Sequence, residues 1–280
     1  MKKDSTKTQK AKRYRMPGKL WRFLKKHLPK PPKNKGRGRP RVNNRDVLDG
    51  IWHVLWTGCQ WKSIEKEWFG VSSSVLHERF QTWRKQGVFD KLFKKMVQFY
   101  ARKYHIAWKW QSIDSMMAPA PLGGLDTGRN PTDRGKSGSK VHLLVDERGA
   151  PLAIYITGAN RHDKWSVDDL VISIVVKRPY SEQHFCADKA YDSADVHQFI
   201  QLENYTSHIK HRRRRNEPKQ EECPIPGEMT FPARRWVVER TFGWLAKRRS
   251  IATRWCKNVE NWLAFIKMAC ADLLLNAIFG

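Results

Sequence analysis

Apolar positions along the chain change period, and each change marks an element. Val47, Leu48, Ile51, Val54 and Leu55 recur at i, i+3, i+4 and i+7 spacing, which predicts a helix with one apolar face, capped at Asn44 and stopping near Gly58. A second helix is expected from about residue 62. A third follows Ser72, Ser73 and Ser74 and runs through Val75, Leu76, Phe80 and Trp83 towards Lys85, and a fourth spans 89–104. A helix, a turn at Gly70 and a serine-capped helix outline a helix-turn-helix, although small helical bundles with plain core stripes share that outline.

Beyond residue 104 the pattern becomes mixed. Short apolar runs predict strands at 108–114, 140–145 and 152–157, the last two joined by a turn at Arg148 and Gly149. A helix at 163–176, a strand at 183–186, a helix at 192–202 and a strand at 207–211 follow. A polar stretch with the arginine run 212–215, Pro218, Pro224 and Pro226 reads as a loop, and helices at 234–249 and 259–279 close the chain. Three strands, then helix, strand, helix, strand and a closing helix is the order of an RNase H-like α/β fold, a mixed sheet with flanking helices. The division expected is a mostly disordered basic tail at 1–43, a small all-helical, helix-turn-helix-like domain at 44–104 and an α/β domain at 105–280.

Charge narrows the partners. Across 280 residues, 54 Lys and Arg face 27 Asp and Glu, a formal net charge of +27. Such an excess repels itself and calls for a polyanion; nucleic acid fits, because neutralised phosphates release counterions. A membrane is the weaker candidate: the most apolar stretch, 259–279, is broken by Lys267, Asp272 and Asn276, so no spanning helix is expected. The charged N-terminus lacks the apolar core of a signal peptide. Cys59, Cys186, Cys223, Cys256 and Cys270 form no C-x-x-C pair, which argues against structural zinc and disulfides and fits a reducing cytoplasm. Residues 1–45 carry 18 Lys or Arg and one acid, Asp4. The tail ends in Gly36, Arg37, Gly38, Arg39, Pro40 and Arg41, similar to the core of an AT-hook, in which arginines such as Arg37 and Arg39 follow a narrow minor groove; a solvated basic linker is the plain alternative.

Metal-assisted phosphodiester chemistry needs acids gathered from distant parts of the chain, with two ions about 3.5–4 Å apart serving the attacking and leaving oxygens. Asp114 ends the uncharged stretch Gln111, Ser112, Ile113. Asp188 closes Phe185, Cys186, Ala187. Glu239 flanks the apolar stripe of Val238, Phe242 and Leu245. Each could equally be a surface acid or a helix partner, as Arg235 and Glu239 are at i, i+4, and Asp146, Asp163 and Asp192 compete on spacing alone. The glycines at 128 and 135 look like a phosphate-binding loop, but six residues separate them where four are required. This stretch reads instead as a flexible cationic hairpin with Arg134, Lys136 and Lys140 near DNA phosphates. His162 and Asp163 are candidates for support around the metals.

Five ordered blocks resemble the DDE transposases of bacterial insertion sequences, family five and its relatives. They are Asp114, Ser115, Met117, Pro119, Pro121, Leu122, Gly123, Gly124; Thr127 to Lys136; Lys140 to Leu144 with Gly158 to Asp163; Ala187 to Asp192; and Arg234 to Leu245. Thr57 to Trp61, and Trp83 with Gly87, Val88 and Phe89, extend the resemblance into the helical part. The resemblance implies an RNase H-like core in which Asp114, Asp188 and Glu239 are the catalytic acids and hold two Mg²⁺ or Mn²⁺ ions. It also implies double-stranded DNA (transposon ends and target) as partner, held by a homodimer or larger assembly in the cytoplasm, with Arg235, Arg240 and Lys247 beside the DNA. Of the tyrosine, arginine, glutamate and lysine signature around the last acid, Arg235 and Glu239 match. The tyrosine position falls on Pro232, beside Phe231, and the lysine position on Ala246, beside Lys247.

Overall fold

The computed structural model describes residues 14–30, 40–212 and 235–279. Arg37, Arg39, Pro232 and most of the AT-hook-like stretch lie outside them. The chain forms two compact units, one from Met1–Met96 with Leu245–Gly280 and one from Val97–Trp244. The expected division at residue 104 assigned the C-terminal helix to the α/β part; the contacts group it with the helical one.

The helical unit starts with α1 (Gly18–Leu24), where Leu20 and Leu24, one turn apart, are buried. Helix α2 (Asn44–Thr57) carries the anticipated stripe: Val47, Leu48, Ile51 and Leu55 are wholly buried. Its cap is Asn43, one residue earlier than expected, whose side chain accepts from the Arg45 amide at 2.9 Å. Gly58 ends the helix at φ 65°, a conformation that glycine adopts without a Cβ clash. Buried Asp49 ties the preceding segment to α2 by accepting from the Met16 amide at 3.1 Å and pairing with Arg45 at 3.1 Å.

Where one helix was expected from residue 62, the chain makes a single 3₁₀ turn, Trp61–Ser63, and a four-residue helix, α3 (Lys66–Phe69). Gly70 at φ 70° then leads into α4 (Ser73–Lys85) and α5 (Val88–Tyr104). Late in the chain come α9 (Arg249–Ala252) and α10 (Val259–Phe279). Helix α10 is long and apolar enough to cross a membrane by length and composition alone. Its apolar length is spent on the core of this unit, where Trp262, Ile266, Met268, Ala269 and Cys270 are wholly buried. Asp272, one of the residues that interrupts it, is itself buried against Arg248. Cys59, Cys186, Cys256 and Cys270 are free thiols.

The second unit is built on a six-stranded sheet: β1 (Trp110–Pro119), β2 (Gly128–Arg129), β3 (Ser137–Asp146), β4 (Pro151–Gly158), β5 (Gln183–Ala187) and β6 (Tyr205–Ile209). Strands β4, β3 and β1 run antiparallel in that order, and β5 and β6 continue parallel to β1. The two-residue β2 prolongs the β4 edge against Ser137 and Gly138. Helix α6 (Val167–Ile172) joins β4 to β5, α7 (Ala194–Leu202) joins β5 to β6, and α8 (Trp236–Ala246) follows. This is the RNase H-like arrangement read from the element order. A buried amide clasps its centre, since Gln111 hydrogen-bonds Gln183 and accepts from the Tyr205 hydroxyl at 2.8 Å.

Candidate active site

The parallel ladder of β1 and β5 ends at Ser112 opposite Cys186. Two residues on stand Asp114, still in β1, and Asp188, one residue past β5, whose charge bears on Asp114. Asp114 does not end its strand, as expected, but sits at its middle, because residues 115–119 continue to pair with β3. Asp188 lies just past β5 and caps the 3₁₀ turn Lys189–Tyr191, accepting from the Lys189 amide at 2.7 Å.

Asp114 is pushed up to about 6, first by burial and further by the charges of Glu239 and Asp188, against the Ser115 amide and Arg235. Residues from β1, the end of β5 and α8 therefore bear on a single carboxyl group. Glu239 is half-exposed and paired with Arg235 at 2.9 Å. Helix α8 is tied to the β3–β4 turn: Thr241 Oγ1 donates to the Gly149 carbonyl at 2.8 Å and Arg240 to the Arg148 carbonyl at 2.7 Å. A side chain at Gly149 would meet Thr241, Val237 and Arg240.

Behind Asp114 lies a buried polar network. Asp163 accepts from Lys140 Nζ at 3.0 Å and from Ser115 Oγ at 2.9 Å, and Lys140 also donates to the Arg161 carbonyl at 2.8 Å. His142 bridges Thr157 (2.8 Å) and Ser166 (3.0 Å). Burial holds its pKa down to about 4, against the pull of Asp163. Tyr191 is buried beside Ser115, with Asp163, Asp114 and Asp188 acting on it.

Several sequence assignments change. Lys140 is only 4% exposed and spent on Asp163, so it is a buried partner and not a phosphate contact. His162 and Asp163 part company: Asp163 turns into the network, whereas exposed His162 accepts from the Lys164 amide at 3.4 Å. Arg134 and Lys136 are exposed on the turn after β2, Lys136 near Asp133 at 3.4 Å. That hairpin is pinned by buried Asn130, whose side chain accepts from the Thr132 amide at 3.0 Å and hydroxyl at 2.8 Å. Arg240 lies 4.9 Å from the ring centres of both Trp236 and Trp244, and Lys247 is exposed just past α8.

The competing acids have other work. Asp146 accepts from Tyr100, Ala107, Arg148 and Ala150 inside the β3–β4 turn. Burial opposes the charge of Asp192, yet the Arg212 amide with His197 and His211 keeps its pKa low. Ser115, His142 and Tyr191 lie within the blocks that carry the resemblance, but the sequence assigned them no role. The available signal was Lys140 and His142 alternating on one face of an otherwise apolar strand, a polar pocket written into a buried element.

The donor chemistry at Asp114, Asp188 and Glu239 is all hard oxygen, which suits a small divalent cation. Among the described residues no three His, Cys, Asp or Glu groups already stand close enough to hold an ion; Glu239 is engaged by Arg235 instead.

Residues 16–93 match a family described as "Putative transposase of IS4/5 family", and residues 111–274 match one described as "Transposase DDE domain". The chain is 31% identical over 158 residues to the "Putative transposase for insertion sequence element IS402" of Burkholderia cepacia, covering 54% of this chain and 70% of that protein. It is also 31% identical over 114 residues to the "Insertion element IS402 uncharacterized 16.2 kDa protein" of the same organism, covering 40% of this chain and 78% of that one. A solved piggyBac transposase synaptic complex with hairpin DNA aligns at 12% identity and a TM-score of 0.49, over 88% of this chain and 68% of that one. The DDE-domain match spans more than half of the chain, Asp114, Asp188 and Glu239 included, so the chain belongs to the DDE transposases of insertion sequences.

Proposed function

We propose that Asp114, Asp188 and Glu239 are the catalytic acids of DNA cleavage and strand transfer, and that together they hold two Mg²⁺ or Mn²⁺ ions. The carrying observation is that Asp188 and Glu239, from different elements, both act on the half-buried Asp114. Divalent ions, when bound, supply the positive charge that activates an attacking oxygen and stabilises a leaving one. The chain's own part is to hold its acids ready. The Ser115 amide fixes one Asp114 oxygen at 2.8 Å, and the Lys189 amide fixes one of Asp188. Arg235 keeps Glu239 neutralised until the site is loaded, and then turns to DNA phosphate with Arg240. In cleavage, a water oxygen bonds to phosphorus at the transposon end and the 3′ oxygen leaves with a proton. In joining, that 3′-hydroxyl attacks a target phosphorus, one new P–O bond forms and one target P–O bond breaks, so no external energy source is required.

Two transposon ends and a target must be held at once, which calls for at least two copies of the chain on double-stranded DNA in the bacterial cytoplasm. Arg134, Lys136 and Lys247 supply exposed positive charge for phosphates, and Arg37 and Arg39 extend that reach.

Asp114→Asn, Asp188→Asn and Glu239→Gln should each abolish cutting of labelled end DNA in Mg²⁺ or Mn²⁺ while leaving end binding intact. Activity above a few per cent of wild type in any of them removes that residue from the site.

A further inference from the structure

The helical unit holds an open cavity of about 530 Å³ between the segment before α2, helix α3 and helix α4, within the size range of small-ligand sites. Its charged lining is Arg41, Lys66 and Arg79 against one acid, Glu78. The three cations come from three separate stretches of chain, and among the described residues none of them forms an ion pair. Arg79 is held in place: its Nη1 donates to the Asn44 side-chain oxygen at 2.7 Å, and its guanidinium lies 5.6 Å from the Trp83 ring centre. A guanidinium carries five N–H donors, so most of them remain for another acceptor. Burial lowers the Arg79 pKa first and the charge of Arg41 lowers it further, with Glu78 opposing. Like charges gathered in this way disfavour one another, and an anion among them reverses the effect.

The rest of the lining is aliphatic, hydroxyl or glycine. It offers no aromatic face on which a nucleobase could stack, so the chemistry provided is for an oxyanion and not for a base. Arg41 also belongs to the stretch 1–45, with its 18 Lys or Arg and one acid, so the positive charge of the cavity is continuous in sequence with the strongest polycation of the chain. A polyanion satisfies both.

We propose that this cavity is a seat for one backbone phosphate of double-stranded DNA, held by Arg41, Lys66 and Arg79 without regard to base sequence. The inference rests on the reading of DNA as the partner, and it gives the helical unit its own point of attachment, apart from the acids. Contacts of this kind fix where a protein sits on the duplex and carry no sequence information.

The test measures binding of the full chain to labelled transposon-end duplex in EDTA, so that nothing is cut, as salt is varied. Arg41→Gln with Lys66→Gln removes two exposed charges and should leave the melting temperature unchanged. Affinity should fall about tenfold, by the same factor on a scrambled duplex, and the slope of log affinity against log salt should flatten by about 0.9, the value of one phosphate. Arg79→Gln should act in the same direction. Lys91→Gln with Lys94→Gln removes equal charge from exposed positions on α5 outside the cavity and should change affinity less than about twofold; a loss as large as that of the cavity pair would reduce the cavity to diffuse charge and overturn the proposal. Ethylation of single phosphates should reveal a position that weakens binding by wild type and not by the Arg41→Gln, Lys66→Gln chain, and an identical interference pattern in both would overturn it as well. So would inorganic phosphate that raises the melting temperature of wild type alone while both chains bind DNA equally, since the cavity would then be a free-anion site. A wild-type chain that binds no end DNA would instead bring down the reading of DNA as the partner, whereas equal binding by both chains defeats the cavity proposal alone.

Discussion

The two sides of the acid cluster are built differently. On the strand side, Lys140, His142, Asp163, Ser166 and Tyr191 stand behind Asp114, nearly all buried, with the ion pair and the imidazole held from several directions. On the helix side, Arg235 and Glu239 are 42% and 47% exposed, and Trp236 and Trp244 reach solvent around Arg240. A buried pair cannot let one partner go without leaving a charge stranded in low dielectric, whereas an exposed pair exchanges partners at little cost. The strand side is thus fixed, whereas on the helix side Arg235 can leave Glu239 at little cost.

The largest expected effect tests the fixed side. Lys140→Met leaves Asp163 without its cation and should cost about 3–5 kcal/mol in denaturant unfolding; a loss below about 1 kcal/mol would make the network as loose as the helix side. The second effect is on pH. His142 is held neutral, with a folded pKa of about 4 against an ordinary value of 6.5. The unfolded chain therefore binds the extra proton between those values, and the stability due to the buried neutral ring is complete above pH 6.5 and lost as pH falls towards 4. At pH 5 this amounts to about 2 kcal/mol. His208, also held down to about 4 by burial with His184 beside it, adds in the same direction. A His142→Gln chain should show a correspondingly flatter decline between pH 7 and pH 5; an identical decline would show that the ring titrates freely in the fold. The smallest effect tests the adjustable side. Arg235→Ala should change stability by less than about 1 kcal/mol yet weaken strand joining, and a melting loss comparable to that of Lys140→Met would erase the distinction between the two sides.

Much of this was legible in the sequence where one rule dominates. The stripe of α2 and the order of strands needed only periodicity. Strand β1 was read too short because residues 115–119, with two methionines and a proline, alternate poorly; pairing with β3 holds them extended, and Pro119 is tolerated at the strand's end. Strand β6 begins two residues earlier than expected because Asn204 at φ 59° turns the chain directly out of α7. The helix expected over 163–176 is a 3₁₀ turn followed by a six-residue helix. Asp114, Asp188 and Glu239 were separated from Asp146, Asp163 and Asp192 only by the resemblance to DDE transposases, and Asp114 stands in mid-strand because β3 goes on pairing beyond it. Lys140 was misread because charge alone suggests solvent, and only the fold brings Asp163 from 23 residues away to meet it.

The Thr241–Gly149 hydrogen bond joins residues 92 apart, and the Ser250–Val54 bond joins residues 196 apart. Both units are therefore closed by the same late stretch of polypeptide. A chain emerging from the ribosome thus presents every strand of the sheet, with Asp114 and Asp188, before Glu239 or the residues that close the helical core exist.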